Sequence, residues 1–326
     1  MSKTPPTTSL GIFWRDVPLV NYALYSVGIA HAEITNLPVQ RLDFVPTAIF
    51  PLLIPLLIYG LRWKQSTLPE KRVAIGICLG VPLLIGLNYV FSPRVVLSHD
   101  ELRDIYEVSA IFNTFILMVH AWTHHRRWLG FFLGPCLAYG LLLENSGILL
   151  GYFSEMNYRW YLGPLPAPIA TVSGWVTVYY IITWCVWEAK KCLPFLGRSA
   201  MGAALVAVAA ALCFDLQVDP LACEVGFWTW HPSLKQGWLG VPLLNYAAWT
   251  AAVFPFAWIL FRREAVLDLE PGEITEPLHR KWMFIQVPLA LALAGILFFG
   301  FMVVIEGGFD GPTFEILDEA FKFYLG

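Results

Sequence analysis

The chain has 326 residues, of which 57% are hydrophobic and 14% are charged, and its formal net charge is −3. Soluble domains carry about 25% charged residues, so this composition predicts a polytopic membrane protein. The small net charge gives no reason to expect a nucleic-acid partner. Six scattered cysteines, mostly inside apolar runs, indicate neither a disulfide framework nor a metal site.

The N-terminal part of the chain is not expected to span a membrane. Residues 1–16 are rich in proline and threonine and are predicted to be irregular. Val17–Ala30 is apolar but short, which favours an interfacial or re-entrant segment over a full span.

Eight apolar stretches follow, each of roughly 15–23 residues, close to the ~20 residues that cross a hydrocarbon core. They are Val45–Trp63, Val73–Phe91, Ile105–Trp122, Trp128–Leu150, Pro168–Trp187, Phe195–Phe214, Val241–Phe261 and Met283–Val304. Because only helices can expose one segment to lipid without unpaired backbone groups, we predict an all-α bundle of about eight transmembrane helices. The expected organisation is an N-terminal irregular or interfacial segment (1–44), a transmembrane domain (45–304) and a C-terminal tail (305–326).

Loop charge predicts the orientation of the bundle. Lysine and arginine accumulate after the first, third, fifth and seventh stretches, for example at Arg62, Arg126, Lys190 and Arg262. The positive-inside rule therefore places these connections in the cytoplasm and both termini outside.

Alternation of the spans brings several polar residues to the non-cytoplasmic side. The ends of the fourth and sixth stretches and the start of the seventh should meet there. The polar residues expected to line one cavity at this boundary are Glu144, Asn145, Asp215, Asp219, Glu224 and Asn245.

The acidic members of this set each have an alternative interpretation. A charge at bilayer depth costs about 2.5–3.5 kcal/mol, so Glu144 should face a cavity or a partner; the alternative is a helix-capping role. Asp215 and Asp219 share a helical face only if the helix continues. Since Pro220 disfavours helix at Asp219, we expect the helix to end between them, and a solvated helix end is the alternative to a site. For Glu224 a solvated loop charge is favoured.

Trp228 and Trp230 follow the acidic cluster in the segment GFWTW. Most of the 14 tryptophans and 13 tyrosines should form interfacial belts. An aromatic face also stabilises a nearby cation, by about 2 kcal/mol or more when desolvated. Both a belt role and a substrate-facing role are open for this pair.

The histidine cluster HAWTHH, which contains His120, His124 and His125, is similar to one histidine box of membrane di-iron enzymes. That chemistry needs about eight histidine ligands from several boxes, and the chain has 7 histidines. We interpret the cluster as an interfacial anchor and expect no metal.

Several segments together resemble the membrane carotenoid hydratase family. They are ENSG followed by GYF, Tyr161–Pro166, the D-x-x-x-D-P motif, GFWTW and GVPLLNYAAW. The resemblance covers roughly Leu133–Trp249, and the tryptophan and G-V-P-x-x-N-Y-x-x-W elements are its most specific part.

The resemblance implies the addition of water across the terminal C1=C2 double bond of an acyclic carotenoid end, without a cofactor, in a prokaryotic inner membrane. It implies a carotenoid substrate taken from membrane lipid, and other carotenoid-pathway enzymes or a pigment–protein complex as partners. We expect Asp215 or Glu144 to donate the proton and Asp219 to orient water, although these roles are exchangeable. Asn145, Asn245, Trp228 and Trp230 are the expected substrate-binding residues.

Other classes of protein fit parts of this pattern. A non-catalytic carotenoid- or quinone-binding subunit would use the same apolar groove and aromatic residues without needing the carboxyls. A transporter would show inverted repeats or paired broken helices, which we do not find. A diphosphate-dependent lipid transferase would need a second aspartate-rich motif.

Overall fold

The structure is a computed structural model that describes residues 8–24, 44–91, 98–124, 129–130, 132–155, 158–235, 237–262 and 282–325. The described part is largely helical, in agreement with the predicted all-α membrane bundle. Its helices are α1 (Ser9–Arg15), α2 (Phe44–Arg62), α3 (Leu68–Phe91), α4 (His99–His124), α5 (Leu137–Leu149), α6 (Ile169–Cys192), α7 (Pro194–Arg198), α8 (Ala200–Glu224), α9 (Leu243–Arg262), α10 (Val287–Glu306) and α11 (Pro312–Leu325). Two short strands, β1 (Phe153–Ser154) and β2 (Thr229–Trp230), lie in the loops after α5 and α8.

Five of the described helices are long and apolar enough to cross a bilayer, namely α4, α6, α8, α9 and α10 with the π-helical turn before it. Their length and composition indicate a membrane protein. The expected count of eight spans is not confirmed. In particular, the fourth predicted span consists of the π-helical turn Phe132–Cys136 followed directly by α5, and it is not among these five.

The described part of the N-terminal segment is helical, contrary to the prediction that 1–16 are irregular, while residues 1–7 lie outside the described residues. Ser9–Arg15 form α1, capped by the Thr8 side chain, and residues 17–24 form a further helical segment. Leu19, Tyr22 and Ala23 are buried in it, and the Tyr22 hydroxyl donates to the Ala210 carbonyl at 2.7 Å. The described half of Val17–Ala30 is therefore packed into the bundle, while residues 25–30 lie outside the described residues.

Helix α8 does not end between Asp215 and Asp219, so that expectation is wrong. It continues through Pro220 to Glu224, ten residues beyond the predicted Phe214. A proline inside a helix costs about 3 kcal/mol. Asp219, in the disfavoured position before the proline, accepts a hydrogen bond from the Asn245 side chain of the neighbouring helix α9.

The centre of the bundle is packed through small and aromatic residues. Helix α6 is the most enclosed of the five long helices, with 83% of its most apolar stretch buried inside the protein. Against it and α9 lies an alanine stripe of α8, fully buried and recurring at helical spacing (Ala203, Ala204, Ala207, Ala210 and Ala211). Such small residues let helix backbones approach closely inside a membrane.

A buried ionic network lies at the end of the bundle where α2 and α6 finish. Asp16, 1% exposed, pairs with Arg15 at 2.9 Å and Arg62 at 3.4 Å, and Arg62 also approaches Glu188 at 3.6 Å. His120 joins this region, because its Nε2 contacts the Arg15 carbonyl at 3.2 Å and its Nδ1 the Tyr180 hydroxyl at 2.8 Å.

His120 is thus completely buried, and its interpretation as an interfacial anchor is wrong. The side chains of His124 and His125 lie outside the described set. Within the described residues, no three histidine, cysteine or acidic side chains are grouped so that they could hold a metal ion.

Candidate functional site

The two loops after α5 and α8 meet in a small antiparallel sheet. Phe153 of β1 pairs with Trp230 of β2, and Ser154 with Thr229. The pairing is extended by the His231 N–H, which donates to the Tyr152 carbonyl at 2.9 Å. The C-terminal ends of α5 and α8 therefore lie on the same side of the protein, as the alternation of spans predicted.

Beneath this sheet lies a cavity of about 490 Å³. Its walls come from α4, α5, α6, α8, α9 and α10, and its sheet-side end from the two loops. Among the predicted site residues, those that line it are Glu144, Asp219, Trp228, Trp230 and Asn245. Most of the remaining lining is leucine, valine, alanine, glycine and aromatic side chains, so the acidic groups stand in an apolar chamber.

The first acidic group of the site is an aspartate pair on α8. Because the helix continues, Asp215 and Asp219 fall on one face, and their carboxyls contact each other. The Asn245 amide of α9 joins them, donating to Asp215 at 3.0 and 3.1 Å and to Asp219 at 2.6 Å. Asp215 is fully buried and Asp219 is 5% exposed, so neither is a solvated helix end. Asp215 lies behind Asp219 and is not part of the cavity wall.

The second acidic group joins α5 to the loop that follows it. Glu144 and Glu155 are 8% and 5% exposed, and their carboxyls are in hydrogen-bonding contact. The Thr171 hydroxyl donates to Glu155 at 3.0 Å. Burial, followed by the charge and hydrogen bond of Glu144, raises the pKa of Glu155 well above its ordinary value. The pair therefore retains a proton where an exposed glutamate would have lost it.

Two stacked tryptophans connect these acidic pairs. The Trp175 indole N–H donates to Glu144, and the Trp249 indole hydrogen-bonds Asp219. Their rings stack with centroids 4.4 Å apart and an interplanar angle of 30°. Each indole holds one carboxyl, so the stack fixes the distance between the two acidic groups. Glu144 and Asp219 are close enough to interact electrostatically.

Aromatic side chains close the sheet-side end of the cavity. The Phe153 and Trp230 rings lie 5.2 Å apart, and the Trp230 indole N–H donates to the Cys223 sulfur at 3.0 Å. Phe153 folds back over α5 because residue 147 is glycine: a Cβ there would stand 2.3 Å from the Phe153 Cε1. Trp228 and Trp230 both line the cavity.

Besides Asp215, two predicted polar residues lie outside the cavity wall. Asn145 is 6% exposed, donates to the Leu141 carbonyl at 2.7 Å and accepts from the Ala167 N–H at 3.1 Å. It ties α5 to the segment before α6 instead of facing the chamber. Glu224 is exposed at the end of α8, in accordance with a solvated charge.

Sequence reasoning missed Glu155, Thr171, Trp175 and Trp249. Trp249 had a usable signal, because it follows Asn245 by four residues and so shares its helical face. Glu155 lies in a short loop after an aromatic run, and Trp175 is one of many tryptophans. Only the fold shows that these two contact Glu144.

Comparison with known proteins gives one result that bears on identity. Searches of curated proteins and of solved structures find no match for this chain. The family model described as "Carotenoid biosynthesis protein" matches residues 105–312, which is nearly two thirds of the chain. This range includes α5, α6, α8, α9 and α10, and therefore both acidic pairs and the tryptophan stack. The chain belongs to the carotenoid biosynthesis protein family.

Proposed function

We propose that this protein is a carotenoid hydratase of a prokaryotic inner membrane, which adds water to the terminal C1=C2 double bond of an acyclic carotenoid end group. The observation that carries the proposal is the pair of acidic groups facing one apolar chamber, held apart by the Trp175–Trp249 stack. Family membership supports a role in carotenoid biosynthesis. No cofactor is needed for this reaction, since it requires only a proton, water and their placement.

The Glu144–Glu155 pair is the proposed acid. An alkene is a weak base, so its protonation needs a well-placed acid in a dry site. Two carboxyls in contact in an apolar environment repel each other when both are charged, so the pair keeps one proton between them. Glu144 lines the cavity and transfers this proton to C2 of the end group, leaving a tertiary cation at C1.

Asp219 is the proposed acceptor of the water proton. It receives hydrogen bonds from the Asn245 amide and the Trp249 indole, and donors on a carboxylate favour its charged form. As the water oxygen bonds to C1, one of its protons passes to Asp219. The product is a tertiary alcohol, and proton transfer back to the glutamate pair completes the cycle.

Asp215 takes a different role from the one expected of it. Its carboxyl lies behind Asp219 and shares the Asn245 amide, so we assign it and Asn245 to positioning Asp219. Trp228 and Trp230 line the chamber, where their ring faces stabilise the cation.

The test is production of hydrated pigment in a host that accumulates lycopene. Wild-type protein should give carotenoids carrying one added water, detected by mass analysis of the pigment extract. Glu144→Gln and Asp219→Asn should each lower the hydrated fraction by at least about a hundredfold, as for loss of an acid–base group. Glu107→Gln is the matched control, because Glu107 is a fully buried glutamate that accepts backbone N–H groups of residues 159 and 160 outside the cavity.

The outcomes separate the proposed enzyme from a binding subunit. Wild-type product levels in both site variants, at equal membrane abundance, would overturn the mechanism. Pigment that co-purifies with the wild-type protein but never gains water would instead favour the non-catalytic carotenoid-binding role.

A further inference from the structure

The cavity lining contributed by α10, and that contributed by α5 apart from Glu144, contains no acidic group. The α10 lining is Leu291, Ala294, Gly295 and Phe298, and the α5 lining other than Glu144 is Leu142, Leu143, Ser146, Gly147 and Leu150. Both sets recur at helical spacing, so one stripe of each helix faces the chamber.

The side of the cavity formed by α5 and α10 reaches the outer surface of the protein. Leu142 lines the chamber and is also 44% exposed, and Ser146 and Gly295 are exposed as well. A Cβ at Gly295 would meet no atom within 4 Å. The chamber therefore opens through a slot between α5 and α10, which we call the α5–α10 slot and define by Leu142, Ser146 and Gly295.

The slot faces the bilayer. Helix α10 is the most apolar of the five long helices, with a mean hydropathy of 2.5. Only 17% of its most apolar stretch is buried inside the protein. An exposed face of that hydropathy is stable only against lipid. In contrast, the sheet-side end of the chamber is covered by a cluster in which Ile316 of α11 packs with Tyr152 and Leu244.

Size determines what occupies the slot. A sphere of 490 Å³ is roughly 10 Å across, whereas a carotenoid is about as long as the ~30 Å hydrocarbon core. Only an end group and a short part of the polyene fit inside. Resting on the proposed function, we propose that the α5–α10 slot is a lateral portal through which the rest of the polyene lies in the bilayer.

The portal has a consequence for specificity. The protein contacts the end group inside the chamber, while the far end of the polyene lies in lipid and makes no contact with the protein. The substrate class is therefore any long polyene with one acyclic end, whatever the structure of its other end.

The test narrows the slot without touching the acidic groups. Gly295→Trp places a large ring in the opening, and Gly300→Trp is the matched control. Gly300 is exposed on the same helix and has open space at its Cβ position, but it does not line the chamber. Each protein is expressed in a carotenoid-producing host and purified in detergent, and both co-purifying pigment absorbance and hydrated product are measured. Glu144→Gln is included as the variant that has lost chemistry.

Gly295→Trp should lose bound pigment and hydrated product together, each by at least about tenfold, while Gly300→Trp keeps both. Glu144→Gln should keep bound pigment and lose product. Gly295→Leu should show a smaller loss of both, which guards against a folding defect in the larger variant. Wild-type pigment binding by Gly295→Trp would overturn the portal alone. Pigment bound to the wild-type protein without any hydrated product would overturn the proposed function but not the portal, and a wild-type protein that shows neither bound pigment nor hydrated product would overturn both.

Discussion

The same substitution at two buried asparagines distinguishes a residue that acts in the site from one that only stabilises the fold. Asn245 donates from a single amide nitrogen to both Asp215 and Asp219, at distances between 2.6 and 3.1 Å. Asn145 is buried to the same degree, but its amide contacts only the backbone at Leu141 and Ala167. Replacement by leucine keeps the branching and the number of side-chain heavy atoms of asparagine and removes the donor at each position.

The expected effects of the two substitutions differ in kind. A hydrogen bond to a charged group contributes about 1.5–3 kcal/mol, so Asn245→Leu should lower the free energy of unfolding by about 2–4 kcal/mol. If about 2 kcal/mol of this stabilises Asp219 as the proton acceptor, turnover per folded protein should fall about thirtyfold. Asn145→Leu leaves the buried Ala167 N–H without its acceptor, which costs about 1–3 kcal/mol of stability, but turnover should be unchanged.

The assay pairs product analysis with an unfolding measurement. Hydrated carotenoid is quantified per unit of folded protein in the membrane fraction, and thermal unfolding in detergent is followed by tryptophan fluorescence. Equal losses of turnover in the two variants would refute the assignment of Asn245 to the site. A stability loss in Asn245→Leu with full turnover would show that the aspartate pair is only structural.

The remaining predictions concern the loop that carries Glu155. Because the pKa of Glu155 is raised on folding, the folded state binds more protons than the unfolded state. The free energy of unfolding should therefore fall as pH rises from the ordinary glutamate pKa of about 4.3 through the raised pKa. Hydration activity should also fall as pH rises through the raised pKa. Glu155→Gln should remove this pH dependence of the melting temperature, become more stable than wild type at high pH and lose hydration activity, and a melting curve as pH-dependent as wild type would contradict this. Gly147→Ala places its Cβ against Phe153 and should cost about 1–3 kcal/mol with reduced product, measured by thermal unfolding and pigment analysis. Gly86→Ala is the control: its Cβ would stand in open space, so it should be neutral or slightly stabilising. Equal effects at the two glycines would argue against close packing of Phe153 on α5.

Much of the architecture follows from local properties of the chain. Low charge and long apolar runs predict membrane helices because unpaired backbone groups are too costly in lipid. The side on which the polar residues meet also follows from simple alternation of spans, and β1 and β2 meet at that side. Local signals failed at α8, where the proline after Asp219 predicted a helix end but the helix continues to Glu224, because the preference of one residue is weak against the packing of a whole helix.

The residues alone mark Glu144, Asp219 and Asn245 as unusual, since polar groups in apolar runs need partners wherever they lie. They do not determine which partners these side chains have. Glu155 and Trp175 reach Glu144 only through the fold of a loop and a neighbouring helix, and Asn145 and Asn245 look alike until their contacts are known. These pairings arise from the fold, because a hydrogen bond depends on the distance between two atoms, and these atoms are remote along the chain.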